Sequence, residues 1–187
     1  MQDIAPRRRA TYADVLAAPE QLVAEIIDGE LVTMPRPAPR HLVSGSNLTS
    51  LLNGQFDLGR GGPGDWWIIA EPELHLGDEI LVPDIAGWRR ERMPVVPETA
   101  YFTLAPDWIC EIPSPSSAKY DRGSKRQTYA KAGVGHCWYI DTAARLLECY
   151  ELRDGLWVLL KTFVEIAEVD ALPFGEVPFP LDLLWAD

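Results

Sequence analysis

Residues 107–141, with the sequence DWICEIPSPSSAKYDRGSKRQTYAKAGVGHCWYID, decide the fold of this protein. The segment opens with a short apolar run that ends at Glu111, and a loop rich in proline and serine follows. A helical pattern then stops at Gly133, and residues 137–140 form a second apolar run. Strand, loop, helix and strand in this order are typical of a βαβ unit. Open α/β sheets place their chemistry where such strands end, so the polar residues after the first strand are candidate site residues.

Further elements are predicted on both sides of this unit. Asp28-Gly29 between two apolar runs predicts a β-hairpin. Apolar residues at close to helical spacing predict an amphipathic helix over residues 41–56, and Pro72 interrupts the strand pattern that follows. Asp154-Gly155 predicts a second hairpin near the C-terminus. The chain shows no internal repeat or linker that would separate these elements into two domains.

The composition is that of an ordinary globular protein. Hydrophobic residues make up 47% of the chain and charged residues 24%, which argues against disorder. We predict one domain over residues 1–187, with an irregular acidic arm from about residue 165. No apolar run approaches the roughly 20 residues that span a bilayer, and the N-terminus has no apolar signal region. We therefore expect a cytoplasmic protein that does not contact membranes.

The net charge of −11 weighs against tight non-specific binding to nucleic acid. The charge is unevenly distributed, because residues 132–187 contain ten acidic and only three basic side chains. Five basic residues fall within residues 119–131. The acidic excess therefore lies mostly away from the candidate site residues.

Asp84, Glu111 and Lys125 form the strongest candidate site. Two carboxylates at the ends of adjacent strands repel each other, and a divalent cation relieves this repulsion. Mg²⁺ is commonly held by one or two carboxylates together with waters and phosphate oxygens. A bound metal lowers the pKa of its water, and a nearby lysine can orient that water or neutralise developing charge. The three residues therefore suit the metal-dependent hydrolysis of a phosphodiester.

The spacing alone leaves a second interpretation open. Asp121 and Lys125 stand four residues apart on one predicted helix face, which is also the spacing of a simple surface ion pair. Asp84 and Glu111 would then be two unrelated acids at strand ends. Nothing in their separation along the chain requires these side chains to meet.

A combined motif extends over most of residues 11–152. Its parts are Ile27–Leu31, His41, Pro83-Asp84, Asp107–Ser116, Asp121–Lys125, Tyr129, Ala132–Val134 and Trp138–Asp141. With this motif the chain resembles the Uma-type family of restriction-endonuclease-like proteins, within the PD-(D/E)XK nuclease superfamily. The resemblance implies an α/β (α+β) fold with a restriction-endonuclease-like core, in which helices flank a central mixed β-sheet. It also implies Mg²⁺ as cofactor, with Mn²⁺ as a substitute, DNA as substrate and a homodimer.

The resemblance also implies roles for individual residues. Asp84 corresponds to the acid of the PD element and Glu111 to the second metal-binding acid, so both are expected to hold metal and to act in catalysis. Pro113 stands two residues after Glu111, where the superfamily motif has lysine. Lys125 on the following helix is therefore expected to be the migrated catalytic lysine.

Four further residues are secondary candidates. Glu25 is expected to be an exposed strand-edge acid, with a place beside the site as the alternative. Glu71 precedes Pro72 at a strand end and is a candidate for a further metal-site acid. His41 is expected to cap its helix locally rather than to contact phosphate. Asp121 is expected to cap a helix or to pair with Lys125 rather than to bind metal.

The leading functional hypothesis is a Mg²⁺-dependent endonuclease that hydrolyses DNA phosphodiester bonds. The alternative is a non-catalytic module with a nuclease fold, which binds nucleic acid or protein. The acidic net charge favours this module, whereas the set of Asp84, Glu111 and Lys125 favours the enzyme. A hydrolase of a smaller phosphate ester is a third hypothesis, which a closed pocket too narrow for duplex DNA would support.

Overall fold

The fold consists of two main β-sheets with helices packed on both sides of the larger one. The computed structural model describes residues 8–186, so the first seven residues and Asp187 of the predicted domain lie outside the described residues. Within that range the strands are β1 (Leu22–Ile27), β2 (Glu30–Pro35), β3 (Trp66–Ala70), β4 (Leu74–Leu76), β5 (Glu79–Leu81), β6 (Ile85–Arg89), β7 (Trp108–Glu111), β8 (His136–Asp141), β9 (Leu146–Arg153), β10 (Leu156–Val164), β11 (Glu168–Val169) and β12 (Phe179–Pro180).

The helices are short, apart from one. They are α1 (Tyr12–Leu16), α2 (Pro39–Leu52), α3 (Ala118–Tyr120) and α4 (Arg126–Lys131), with π-helical turns at Asn53–Asp57 and Asp121–Lys125 and a 3₁₀ turn at Leu181–Leu184. None of the helices within residues 8–186 has the length and apolar character that crossing a membrane requires.

The larger sheet has six strands in the order β10-β9-β8-β7-β6-β3. Its strands β7 and β8 are parallel and pair from Trp108 with His136 to Glu111 with Tyr139, while the other neighbours are antiparallel. The segment between β7 and β8 carries α3 and α4. The predicted βαβ unit and the α/β (α+β) fold with a mixed sheet flanked by helices are thus confirmed.

The smaller sheet has four strands in the order β2-β1-β5-β4. Its first hairpin turns at Asp28 and Gly29, whose φ angles of 54° and 76° suit the tight type I′ turn that Asp-Gly predicts. Pro72 lies between β3 of the larger sheet and β4 of the smaller one. Since proline cannot donate a ladder hydrogen bond, the predicted strand break is the point at which the chain changes sheets.

Successive side chains of the central strands point to opposite faces of the larger sheet, as the pleat requires. Trp108 and Cys110 of β7 belong to the core on one face, where α2 and the C-terminal segment pack. Ile109 belongs to the core on the other face, with Tyr129 and the buried leucines of the smaller sheet. Glu111, two residues after Ile109, therefore points toward the space between the two sheets.

The segment after residue 165, for which the sequence predicts an irregular acidic arm, lies against the larger sheet. It forms the short antiparallel pair β11-β12 and the 3₁₀ turn. Phe174 from this segment is buried, and its ring centroid lies 4.7–4.9 Å from the centroids of Phe56, Trp66 and Trp108. The segment thus completes the core on the α2 face.

We predict that Phe174→Ala destabilises the protein by about 3–5 kcal/mol, because it leaves a cavity among large aromatic rings that cannot close around it. Urea denaturation followed by tryptophan fluorescence measures the loss. Leu172→Ala is the matched control, since Leu172 lies two residues away and is 49% exposed. Equal stability losses in the two variants would contradict the placement of Phe174 in the core.

Candidate active site

A cluster of charged side chains lies between the two sheets, at the end of β7. Glu111 comes from the last position of β7, and Glu25 comes from β1 of the smaller sheet. Asp121 and Lys125 come from the π-helical turn that precedes α4. All four side chains are at most 3% exposed. Buried charges are stable only when they are paired, so their mutual arrangement is tightly constrained.

Lys125 is the centre of this cluster. Its Nζ lies 3.0 Å from Glu111 Oε1 and 3.1 Å from both Glu25 Oε1 and Asp121 Oδ1. Burial favours the neutral amine, but the three carboxylates outweigh this effect and raise the pKa of Lys125 well above its usual value. Lys125 is therefore a buried cation at neutral pH.

A local distortion of the helix brings Lys125 to this position. Gly123 has non-helical backbone angles, φ −108° and ψ −106°, within the turn Asp121–Lys125. Extra-wide helical turns of this kind are frequent at functional sites because they re-aim the side chains beside them. The ion pair with Asp121 keeps its spacing of four residues, so both acid and lysine point into the site.

Glu111 is the most constrained acid of the cluster. Its Oε1 accepts a hydrogen bond of 2.7 Å from the hydroxyl of Tyr129, in addition to its contact with Lys125. Burial raises the pKa of Glu111 well above its usual value, and Lys125 opposes this while Asp121, Asp84 and Glu25 add to it. The surroundings of Glu111 therefore favour its protonated form, because one lysine does not offset both burial and the neighbouring acids.

Asp84 stands immediately before β6 and lies beside the cluster. Its Oδ2 accepts a hydrogen bond of 2.6 Å from the backbone N–H of Ile112, and its Oδ1 lies 2.6 Å from Nε2 of His41. Burial lowers the pKa of His41, but the hydrogen bond and the charge of Asp84 prevail and raise it overall. The side chains of Asp84 and His41 are 19% and 16% exposed, so this pair is in contact with solvent.

Two cavities open onto these residues. One, of about 260 Å³, is lined by Glu25, Glu111, Asp121 and Lys125 as well as by Asp84. The other, of about 400 Å³, runs along α2. Both are lined by His41, Glu71 and Asp84, so these three side chains lie where the cavities meet.

The structure thus brings all seven predicted site residues to one region. Asp121 pairs with Lys125, as expected, and Glu71 lies at the junction of the cavities. The expectation that Glu25 is an exposed strand-edge acid is wrong: it is 0% exposed, because the smaller sheet packs β1 over the site. The expectation that His41 acts as a local helix cap is also wrong, since its ring turns to Asp84.

Sequence reasoning missed Tyr129 as a member of the site. This residue is fully buried, and the carboxylates around it raise the pKa of its hydroxyl further than burial alone does. The available signal was its position four residues after Lys125, which places both on one helix face. An aromatic residue at that spacing equally suits a core position, so only its contact with Glu111 separates the two roles.

The residues fit a magnesium ion held by few protein ligands. Within residues 8–186, no group of three or more His, Cys, Asp or Glu side chains is arranged so that it could hold a metal ion. Mg²⁺ does not need such a group, because it commonly takes one or two carboxylates and completes its shell with waters and phosphate oxygens. Oε2 of Glu25 is buried without a hydrogen-bond partner among the described residues, which leaves a spare hard oxygen in the cluster.

Comparisons with known proteins agree with this fold. A model of the Uma2 family, described as "Putative restriction endonuclease", matches residues 10–181. A crystal structure of a "putative nuclease belonging to DUF820" from Anabaena variabilis superposes with a TM-score of 0.75 at 25% sequence identity. The match covers 94% of this chain and 97% of that chain. A search of curated proteins finds no match.

We predict that Lys125→Met destabilises the protein by about 3–5 kcal/mol, because it leaves three buried carboxylates without their cation. Urea denaturation of the variant measures the loss, with Lys131→Met as the control on the exposed side of α4. Adding Glu111→Gln to Lys125→Met is expected to restore part of the stability, because it removes one of the carboxylates left without a cation. The stability effects of substitutions at residues in contact are not additive. A loss in Lys125→Met no larger than in Lys131→Met would contradict this account of the cluster.

Proposed function

This chain belongs to the Uma2 family, and we propose that it is a Mg²⁺-dependent endonuclease that hydrolyses DNA phosphodiester bonds. The observation that carries the proposal is the excess of carboxylates around Lys125 in a cleft at the end of β7. Such a site attracts a divalent cation, and a cation between carboxylates attracts a phosphate. Restriction-endonuclease-like proteins generally use divalent metals, which agrees with this donor set.

Asp84 and Glu111 would hold the Mg²⁺ ion in this proposal. The ion supplies a water of lowered pKa and stabilises negative charge on the phosphate. Asp84 is suited to this role because it is accessible from both cavities and is held by the N–H of Ile112. Tyr129 fixes the orientation of Glu111 by its hydrogen bond to Oε1.

Lys125 would position the attacking water and offset the charge that develops at phosphorus. Its Nζ is held by three oxygens at 3.0–3.1 Å, so one of these contacts would give way when Lys125 donates to the water or to the phosphate. His41 would orient Asp84 and donate a hydrogen bond from Nε2 to it or to an incoming phosphate oxygen. These roles need no general base beyond the carboxylates of the cluster.

The acidic net charge favours a second candidate, a nuclease-fold module without catalysis. Such a module has no need for a buried cluster of acids, which is destabilising unless it is compensated. Strongly perturbed ionisable groups in a cleft are typical of catalytic sites. The two candidates differ in their need for metal, and the following experiments separate them.

We predict that Mg²⁺ raises the melting temperature of the wild-type protein. A ligand at ten times its dissociation constant stabilises the folded state by about 1.4 kcal/mol, which shifts the melting temperature of a chain of this size by roughly 3–6 °C. Thermal denaturation with and without MgCl₂ measures the shift. Asp84→Asn should abolish it, whereas the exposed Asp154→Asn should keep it. Equal melting-temperature shifts in both variants would show that Asp84 does not hold the metal ion.

We predict that the wild-type protein nicks supercoiled plasmid and cuts circular single-stranded DNA when Mg²⁺ or Mn²⁺ is present. Asp84→Asn should lower the rate at least 100-fold, roughly the loss of one major transition-state interaction. Gel electrophoresis of time courses measures cleavage, and Asp154→Asn is the control. The second candidate would be favoured if neither DNA is cleaved and the folded wild-type protein shows no metal-dependent stabilisation.

A further inference from the structure

We propose that the substrate is single-stranded DNA, whose backbone follows the two cavities and passes Asp84 where they meet. This inference rests on the proposed function and adds the class of substrate. Three observations support it. The acids of the site are buried in a cleft, the two cavities share Asp84 in their lining, and the protein has a negative net charge.

The acids of the site are recessed. Glu25, Glu111 and Lys125 are at most 2% exposed, whereas Asp84 and His41 keep 19% and 16% of their side-chain surface in contact with solvent. A phosphate therefore has to enter the cleft to approach the cluster, and Asp84 and His41 are the more accessible side chains within it. A duplex carries its phosphates on a stiff convex surface, and it would have to deform before one of them reached this depth.

Two loops form the walls of the first cavity. Pro35 and Pro37 stand on one side, at the end of the smaller sheet, and Pro115 stands on the other, in the loop after β7. Proline fixes its own backbone φ angle, which reduces the number of conformations open to both walls. A volume of about 260 Å³ is on the scale of one nucleotide, which suits a single strand that places one nucleotide at the site.

The second cavity continues the path beyond Asp84. Gly45, Ser46 and Ser50 line it with small side chains along α2, which lets a sugar–phosphate backbone lie close to the helix. Thr49 lines the same cavity, and its buried hydroxyl has no hydrogen-bond partner among the described residues. With Oε2 of Glu25 in the first cavity, each side of Asp84 has one unpartnered polar atom.

The net charge of the protein also favours single-stranded over duplex DNA. The chain has a net charge of −11, and duplex DNA carries one negative charge per roughly 1.7 Å of its axis, about twice the density of one strand. Arg36 lies at the wall of the first cavity, where its guanidinium can meet a phosphate while it donates to the backbone oxygen of Glu20. A single strand therefore meets less repulsion for the same contact with the site.

The test is binding of a labelled oligonucleotide, single-stranded or annealed to its complement, to the wild-type protein in EDTA. Fluorescence anisotropy measures both affinities without any need for cleavage. We expect the single strand to bind about tenfold more tightly or better, since the duplex has to deform and is repelled more strongly. Equal or tighter binding of the duplex, or no binding of either DNA, would overturn the inference.

Two matched variants test the path along α2. Ser46→Trp places a large side chain in the second cavity and should weaken single-strand binding about tenfold, the scale of one lost stacking or backbone contact. Val43→Trp is the control, because Val43 is exposed on the same helix but lines neither cavity. Both variants should melt within a few degrees of the wild type. Equal affinities of the two variants for the single strand would show that the strand does not lie in the second cavity, and would overturn the proposal.

Cleavage separates this inference from the proposed function. With Mg²⁺ or Mn²⁺ present, we expect the wild type to cut the single strand, and a duplex with an unpaired bubble, faster than the fully paired duplex. Faster cleavage of the paired duplex would overturn the strand preference and leave the nuclease in place. Selective binding of the single strand without cleavage of any DNA would overturn the nuclease proposal but support the binding path.

Discussion

The structure depends on one buried cation among carboxylates. Lys125 Nζ lies within 3.1 Å of Glu25, Glu111 and Asp121, which come from two sheets and one helical turn. Removing the lysine from this contact would leave the acids uncompensated in a region closed to water. The cluster therefore fixes the position of the smaller sheet relative to the larger one, and it does so at the place where the cavities open.

The sheets make this cluster feasible because each supplies an apolar surface around it. Ile109 and Tyr139 of the larger sheet pack with Leu74 and Leu81 of the smaller one, which excludes water from the space beneath the acids. Exclusion of water strengthens every electrostatic interaction within that space. The same packing therefore holds the fold together and raises the affinity of the acids for protons, as the raised pKa of Glu111 indicates.

The sequence predicts those features that depend on neighbouring residues. The hairpin at Asp28-Gly29, the break at Pro72 and the parallel pairing of β7 with β8 each follow from local patterns and are present. The burial of Glu25 depends instead on how two sheets pack. Its neighbours in β1 are all apolar, which suits both a buried strand and a strand with one exposed acid, so no local pattern distinguishes the two cases.

The side chain of His41 is a second feature that local patterns cannot predict. Its place at the start of α2 suits a capping role, yet its contact with Asp84 joins residues 43 positions apart. Such contacts are fixed by tertiary packing, which overrides a local preference without leaving a signal in the adjacent residues. Resemblance to a family supplied the expectation that Asp84, Glu111 and Lys125 meet, where spacing alone left it open.

An acidic protein and a polyanionic substrate are compatible when the negative charge is placed unevenly. At physiological ionic strength, charges further apart than about 8 Å act on each other only weakly, so the charges beside the cleft act most strongly on a strand bound there. What the strand meets is the local field, which a divalent cation between Asp84 and Glu111 would reverse. Metal would then add to the affinity that the two cavities provide without it. In the proposed enzyme, binding of the strand and cleavage of the strand would therefore differ in their need for metal.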